Sequence, residues 1–236
     1  MTAAIAAMVA AAGLGCAAPF CEDLSSVSLG THADGALRRP MVLPVAGDGY
    51  LVPGPWRQRN SNHGTDELVG VVARAARGVA RDSGGGVLAV GDLSRRAGGA
   101  SAEHKSHHNG RDVDLFYYAV DKVGRTVIPG EAMFRFNGDG RAIRWSPARG
   151  HKPPPRPVPP YRFDTGRNWA LVRALLTDPE AEVQWIFIQR SLAAMMMRQA
   201  AEAGEDPALL ARAAFVLREP TDAEPHDDHM HVRLYC

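Results

Sequence analysis

Apolar positions along the chain fall into blocks of two different periods. From Thr65 onward, Leu68, Val71, Val72, Ala75 and Val79 recur three and four apart, the spacing of one helix face, and Ser83 with the following glycines closes the run. The block 86–90 (Gly-Val-Leu-Ala-Val) then reads as a short buried strand. Residues 111–120 follow an Asn109-Gly110 turn and carry the strand formers Val113, Leu115, Phe116, Tyr117 and Tyr118, which predicts one further strand. A helix is expected from Asp164-Thr165, with Trp169, Val172, Leu175 and Leu176 on one stripe, followed by a strand over 183–188. Residues 192–203 predict a Met-rich helix stopped by Gly204, whose Met195, Met196 and Met197 read as core filler. Asp206-Pro207 caps and starts another helix, and 230–235 reads as a closing strand. Strands and helices mix without a regular strand–helix–strand alternation, which predicts an α+β fold over a parallel sheet. Six prolines within 151–160 favour extended geometry and cannot join a central strand, so a stiff surface loop is expected there.

The 236 residues, 45% of them apolar, suit one domain with a single core. Before it, residues 1–21 hold no charged side chain and are rich in alanine. This stretch is too weakly apolar for a spanning helix and reads instead as an export signal over 1–18, ahead of one domain over 19–236. It is an atypical signal, because the first Lys or Arg is Arg38. No membrane-spanning segment is expected in the mature chain. Of the three cysteines, Cys16 falls inside the signal, where lipidation is an alternative to removal. The remaining pair, Cys21 and Cys236, predicts a disulfide tying the two ends of an exported domain together. Basic and acidic residues nearly balance at 27 against 26, which argues against a nucleic-acid groove or a polybasic membrane surface.

The chemistry concentrates in histidine. Six of the nine fall in two windows: His104, His107 and His108, followed by Asp112 and Asp114; and His226, His229 and His231, interleaved with Asp227 and Asp228. The other three, His32, His63 and His151, read as satisfied or surface polar residues. Imidazoles beside carboxylates are a usual zinc ligand set. His229 and His231 are two apart, so on a strand they share a face, and Asp112 and Asp114 have the same relation. His107 and Asp114 are seven apart, roughly 23 Å if extended, so one ion can take both only if the chain turns back at Asn109-Gly110. Spacing does not choose between Asp112 and Asp114, or among the histidines. No H-E-x-x-H helix, G-x-S-x-G elbow or phosphate-binding Gly-Lys loop is present in the sequence.

The joint pattern resembles the penicillin-insensitive murein endopeptidases, within the zinc-peptidase group that includes lysostaphin, D-Ala-D-Ala peptidases and the hedgehog signalling domain. The residues that carry the likeness are His104 three before His107, the run Ser106-His107-x-x-Gly110-x-Asp112-Val113-Asp114, and His226-x-x-His229-x-His231-Val-Arg-Leu, with Gly91-Asp92 and Gly98-Gly99 ahead of the first window. The resemblance implies a small central antiparallel sheet carrying one Zn²⁺ per chain, flanked by helices and long loops. It makes His107, Asp114 and His231 the zinc ligands and His229 the general base. His226 and His104 then stand near the reacting groups, with His226 placed to steady a developing oxyanion. Asp112, Asp227 and Asp228 become candidates to orient imidazoles. It further implies a periplasmic enzyme that cleaves the D-alanyl–meso-diaminopimelyl amide of peptidoglycan cross-links. Two alternatives stand beside it: a zinc D,D-carboxypeptidase that trims D-Ala, against which Asp228 stands where those relatives place Glu, and a hedgehog-like zinc module without hydrolysis. The chain lacks the several disulfides of many family members, and the proline-rich stretch matches nothing in the pattern.

Overall fold

A computed structural model describes residues 25–143, 160–221 and 224–235. The expected export signal, Cys16, the Cys21–Cys236 pairing, His151 and all but the end of the proline-rich stretch lie outside the described residues. Within them the fold is mixed α/β, with five helices and several small sheets.

A short turn of helix, α1 (Gly54–Arg57), precedes the long helix α2 (Asp66–Asp82). Thr65 caps α2 by accepting from Leu68 N–H at 3.3 Å, and Asp66 and Glu67 place negative charge at the positive end of the helix dipole. The expected stripe is the face it buries: Leu68, Val71 and Val72 have no exposed surface. The helix α3 (Thr165–Leu176) starts at the Asp164 cap, packs against α2, and is followed by α4 (Arg190–Glu202) and α5 (Pro207–Val216). In α4, Met196 is fully buried while Met195 and Met197 pack on the core margin, as core filler should.

The largest sheet has four strands in the order Leu217–Arg218, Val183–Phe187, His229–Leu234, Asp112–Phe116. The last three pair antiparallel, and the first is a parallel edge strand. Val113, Leu115, Met230 and Val232 turn one face of the last pair into the core and are fully buried, each contributing about 1.5–3 kcal/mol relative to exposure. The alternate residues, Asp112, Asp114, His229, His231 and Arg233, share the opposite face.

Two expectations need correction. Residues 111–120 are not one strand: Asp112–Phe116 ends where Tyr117 and Tyr118 turn away, and Ala119–Val120 joins a different small sheet. The cause is Asn168 on α3, whose side chain accepts from Tyr118 N–H at 3.0 Å and donates to Tyr118 O at 2.9 Å, replacing ladder partners. The closing strand also starts one residue earlier than expected, at His229. Of the lone histidines, His32 is exposed as expected, but the His63 ring is buried with no hydrogen-bond partner on Nδ1.

Candidate metal centre

Antiparallel register sets His231 opposite Asp114 and Arg233 opposite Asp112, so the second histidine window and the two aspartates meet across one strand pair. The first window reaches the same place from a loop. His107 adopts φ +68°, a left-handed conformation that a residue with a Cβ rarely takes. Its backbone is held on several sides: N–H donates to Asp112 Oδ2 at 3.0 Å, and its carbonyl accepts from Ser94 Oγ at 2.5 Å. Ser94 Oγ also accepts from Gly110 N–H at 2.9 Å, and Gly110 O accepts from Thr65 N–H at 2.9 Å, which ties the turn to the start of α2. The return expected at Asn109-Gly110 is therefore made, with Gly110 at φ +81°.

Three imidazoles converge on one carboxylate oxygen. Asp114 Oδ1 lies 3.3 Å from His107 Nε2, 3.4 Å from His231 Nδ1 and 3.4 Å from His229 Nε2. The far side of two of the rings is taken up by another acceptor: His107 Nδ1 lies 3.0 Å from Leu93 O and His229 Nδ1 2.6 Å from Asp228 Oδ1, whereas His231 Nε2 stands 3.2 Å from Asp112 Oδ1 without a hydrogen bond. A carbonyl or carboxylate on one ring nitrogen fixes the proton there and leaves the other nitrogen as a lone-pair donor. Asp114 Oδ1 and His107 Nε2 are buried and have no hydrogen-bond partner among the described residues. Such orphaned polar atoms are costly unless a ligand satisfies them. Donors at zinc bond lengths of about 2.0–2.1 Å around a tetrahedron stand about 3.3–3.4 Å apart, the distance from Asp114 Oδ1 to each of the three nitrogens. A group of His104, His107 and Asp114 likewise brings ligand atoms within 4.8 Å of one another and could hold a metal ion.

Electrostatics point the same way. Burial would pull His229 and His231 down, but Asp114 with Asp228 around His229, and Asp112 with Asp114 around His231, raise both above the usual imidazole range. Burial pushes the Asp114 carboxyl up, yet His107 and His229 hold it well below the carboxylate range. Asp112 likewise resists its burial and stays low beside His231, His107 and Arg233. The centre thus has buried carboxylates that attract positive charge. His226 is the contrary case: desolvation, then repulsion from His229 and His231, lowers it to about 3, so it is neutral near pH 7.

The remaining candidates divide. Asp228 touches His229, and Asp112 links both windows by bonding His107 N–H and Arg233 Nε at 2.7 Å. Asp227 is bound by Arg135 through two nitrogens, the shortest contact 2.5 Å. His226 packs at a tilt against His229 with ring centroids 4.7 Å apart, and its carbonyl accepts from Tyr117 Oη at 2.6 Å. His104 lies 4.3 Å from the His107 ring, measured between centroids. Spacing could not identify Leu93, or Arg59, which donates to Asp92 Oδ2 at 2.5 Å beside His104. The Leu93 contact is made by backbone carbonyl, which any residue supplies, and Arg59 lies far along the chain. Gly91-Asp92 was visible only as part of the resemblance.

Fold and centre together define a mixed α/β protein with a buried histidine–aspartate cluster suited to a metal. Residues 28–136 match the family model described as penicillin-insensitive murein endopeptidase. Over nearly the full chain, a Klebsiella pneumoniae protein named penicillin-insensitive murein endopeptidase is 26% identical across 244 residues, covering 99% of this chain and 77% of its own length. An Escherichia coli protein of that name is 25% identical over 218 residues, covering 90% of this chain and 67% of its own length. A shorter stretch of 90 residues is 34% identical to a Salmonella paratyphi B protein of the same name, covering 38% of this chain and 32% of that one. These matches agree with the likeness read from the histidine windows: the chain is similar to the penicillin-insensitive murein endopeptidases. The matched span of the family model holds the first window; the second is reached by the longer pairwise matches.

Proposed function

We propose that the protein is a zinc-dependent peptidoglycan endopeptidase that hydrolyses the D-alanyl–meso-diaminopimelyl amide of cross-linked stem peptides. The observation that carries this reading is the convergence of three imidazole nitrogens on the orphaned Asp114 Oδ1 at 3.3–3.4 Å. His107, Asp114 and His231 would hold one zinc ion. When bound, zinc supplies Lewis acidity toward an amide carbonyl and acidifies water.

The chain's own residues do the rest. His229, with Nδ1 against Asp228, has Nε2 turned toward the centre and can accept a proton from water and return it to the leaving amine. His226 is neutral and beside His229, with Nδ1 3.0 Å from Glu224 O, so its proton is committed there and Nε2 can accept a hydrogen bond from water or substrate. Asp112 holds the His107 backbone N–H and stands 3.2 Å from His231 Nε2, while Arg233 balances its charge. A cell-wall substrate places the enzyme in the periplasm, consistent with the export signal read from 1–18. No helix among the described residues is long and apolar enough to cross a membrane.

Digestion of purified peptidoglycan by the zinc-loaded protein, with products identified by mass, tests the reading. Cross-linked dimers should disappear with no release of free D-Ala. Free D-Ala in place of dimer loss would make the enzyme a carboxypeptidase, and unchanged muropeptides would end the hydrolytic reading.

A further inference from the structure

The sheet face that carries the histidines continues beyond His231. Register sets Phe187 beside His231 and Trp185 beside Arg233, and the parallel edge strand sets Arg218 beside Phe187. Residues paired on neighbouring strands share a face, so Phe187, Trp185 and Arg218 extend the face of the centre toward the sheet edge. The contacts agree. The Phe187 ring stands 5.4 Å from the His231 ring, measured between centroids, and the Arg218 guanidinium lies 3.8 Å from the centroid of Trp185. Phe215, from the end of α5, stands 5.5 Å from Trp185 and is 59% exposed. Two strand spacings separate Arg218 from His231, roughly 10 Å across the sheet.

The two guanidinium groups of this face differ. Arg233 is tied to Asp112. Arg218 is exposed, its Nε donates to Phe215 O at 3.3 Å, and no carboxylate pairs with it among the described residues. The neighbouring Glu219 is instead met by Arg190 at 3.5 Å. Stacking on an indole fixes the plane of a guanidinium and leaves the N–H groups of its edge for a carboxylate. We propose that Arg218, held on Trp185, binds the carboxylate that ends a stem peptide of the cross-linked substrate, while Phe187 and Trp185 carry the methylenes of the diaminopimelyl arm. Distance selects this occupant. A carboxypeptidase must hold the terminal carboxylate beside the scissile amide, against the metal. A carboxylate held roughly 10 Å away belongs to a chain that continues past the scissile bond, as it does at a cross-link. The inference rests on the endopeptidase reading above and adds where one end of the peptide lies.

Two soluble cross-linked dimers test it on the zinc-loaded full chain: one ends in the free D-alanine carboxylate, the other in its carboxamide. Wild type should cleave the acid with a KM about 10-fold below that of the amide and with a similar kcat. Arg218→Gln should raise KM for the acid to that of the amide and leave both constants for the amide unchanged. Arg218→Lys keeps the charge without the planar fork and should recover part of the preference. Equal losses on both dimers in Arg218→Gln would make Arg218 a support of the sheet edge and overturn the proposal. A preference for the acid that survives in Arg218→Gln, or a wild type that cleaves both dimers alike, overturns it too. All three results leave the endopeptidase reading standing. A wild type that cleaves neither dimer, or that releases D-Ala from the acid without opening the cross-link, overturns that reading and this inference with it.

Discussion

The two histidine windows deliver imidazoles to the same carboxylate by different means. In the second window, His229 and His231 sit on a regular strand, where alternation places both on one face and register sets His231 against Asp114. In the first, His104 and His107 lie in a loop. His107 holds a left-handed backbone conformation that costs about 1–2 kcal/mol for a residue with a Cβ. Of the strand histidines, His229 is oriented by the Asp228 carboxylate and His231 stands 3.2 Å from Asp112; His107 is oriented by a backbone carbonyl, Leu93 O. A strand thus supplies position through its period, whereas a loop must be held bond by bond. Errors introduced in the two windows should therefore have different signatures.

The largest effects are expected within the strand window. On the proposed roles, His231→Ala removes one of three ligands, and both zinc and activity should be lost. His229→Ala should keep zinc near one per chain while cleavage falls about 10²- to 10⁴-fold, the usual cost of losing a general base. Metal content by elemental analysis beside cross-link cleavage reads both variants. Zinc lost from His229→Ala and kept in His231→Ala would reverse the assignment.

Asp112 belongs to both windows, so its removal sharpens the comparison. Asp112→Ala frees His107 N–H and His231 and strands Arg233, whose side chain is only 12% exposed. Breaking a buried pair from one side typically costs about 3–5 kcal/mol, and loss of an orienting carboxylate lowers metal affinity about 10- to 100-fold. Denaturant melts of the metal-free variant and competition with a chelator separate the two consequences. A fall in affinity with no fall in stability would show that Asp112 orients ligands without supporting the strand pair.

Acidity should act on the metal-free and loaded proteins in opposite senses. His229 and His231 have raised values in the metal-free fold, after their carboxylate neighbours outweigh burial. A raised folded value adds stability that is complete below the unfolded imidazole value of about 6.5 and fades as pH rises through the higher folded value. Zinc requires these rings deprotonated, so protons compete with it and metal-derived stability grows with pH. The gap in Tm between zinc-loaded and chelator-treated protein should therefore widen from pH 5 to pH 9. A gap independent of pH would mean that the raised imidazoles do not face the metal.

The smallest effect is local to the loop window. Gly110 has φ +81°, and an added Cβ would come within 2.7 Å of the Leu37 side chain. Gly110→Ala should cost about 1–2 kcal/mol and loosen His107, with the strand window untouched. Chemical denaturation measures the cost, and zinc affinity should fall less than in Asp112→Ala. Equal losses of affinity in the two variants would show that the loop and the strand act as one unit.

Several features could be read from residues alone because they depend on local periodicity and chemistry. The face of α2, the caps at Thr65, Asp164 and Asp206, and the shared face of His229 and His231 all follow from spacing that the backbone geometry preserves. The need for a return at Asn109-Gly110 followed from length, since an extended chain could not bring His107 to Asp114. What local pattern could not supply was partner choice across the fold. The break after Phe116 comes from Asn168, fifty residues away, and the orientation of His107 comes from a carbonyl that any residue at position 93 would provide. Asp112 and Asp114 were indistinguishable by spacing, because both face the same side of one strand. Register separates them: it sets Asp114 opposite His231 and Asp112 opposite Arg233, so one carboxylate is left unpaired toward three imidazoles while the other is tied to a guanidinium. Side-chain type and local period determined which residues could take part, and only long-range pairing decided which atoms meet, because those contacts lie between segments whose separation along the chain carries no information about their approach in space.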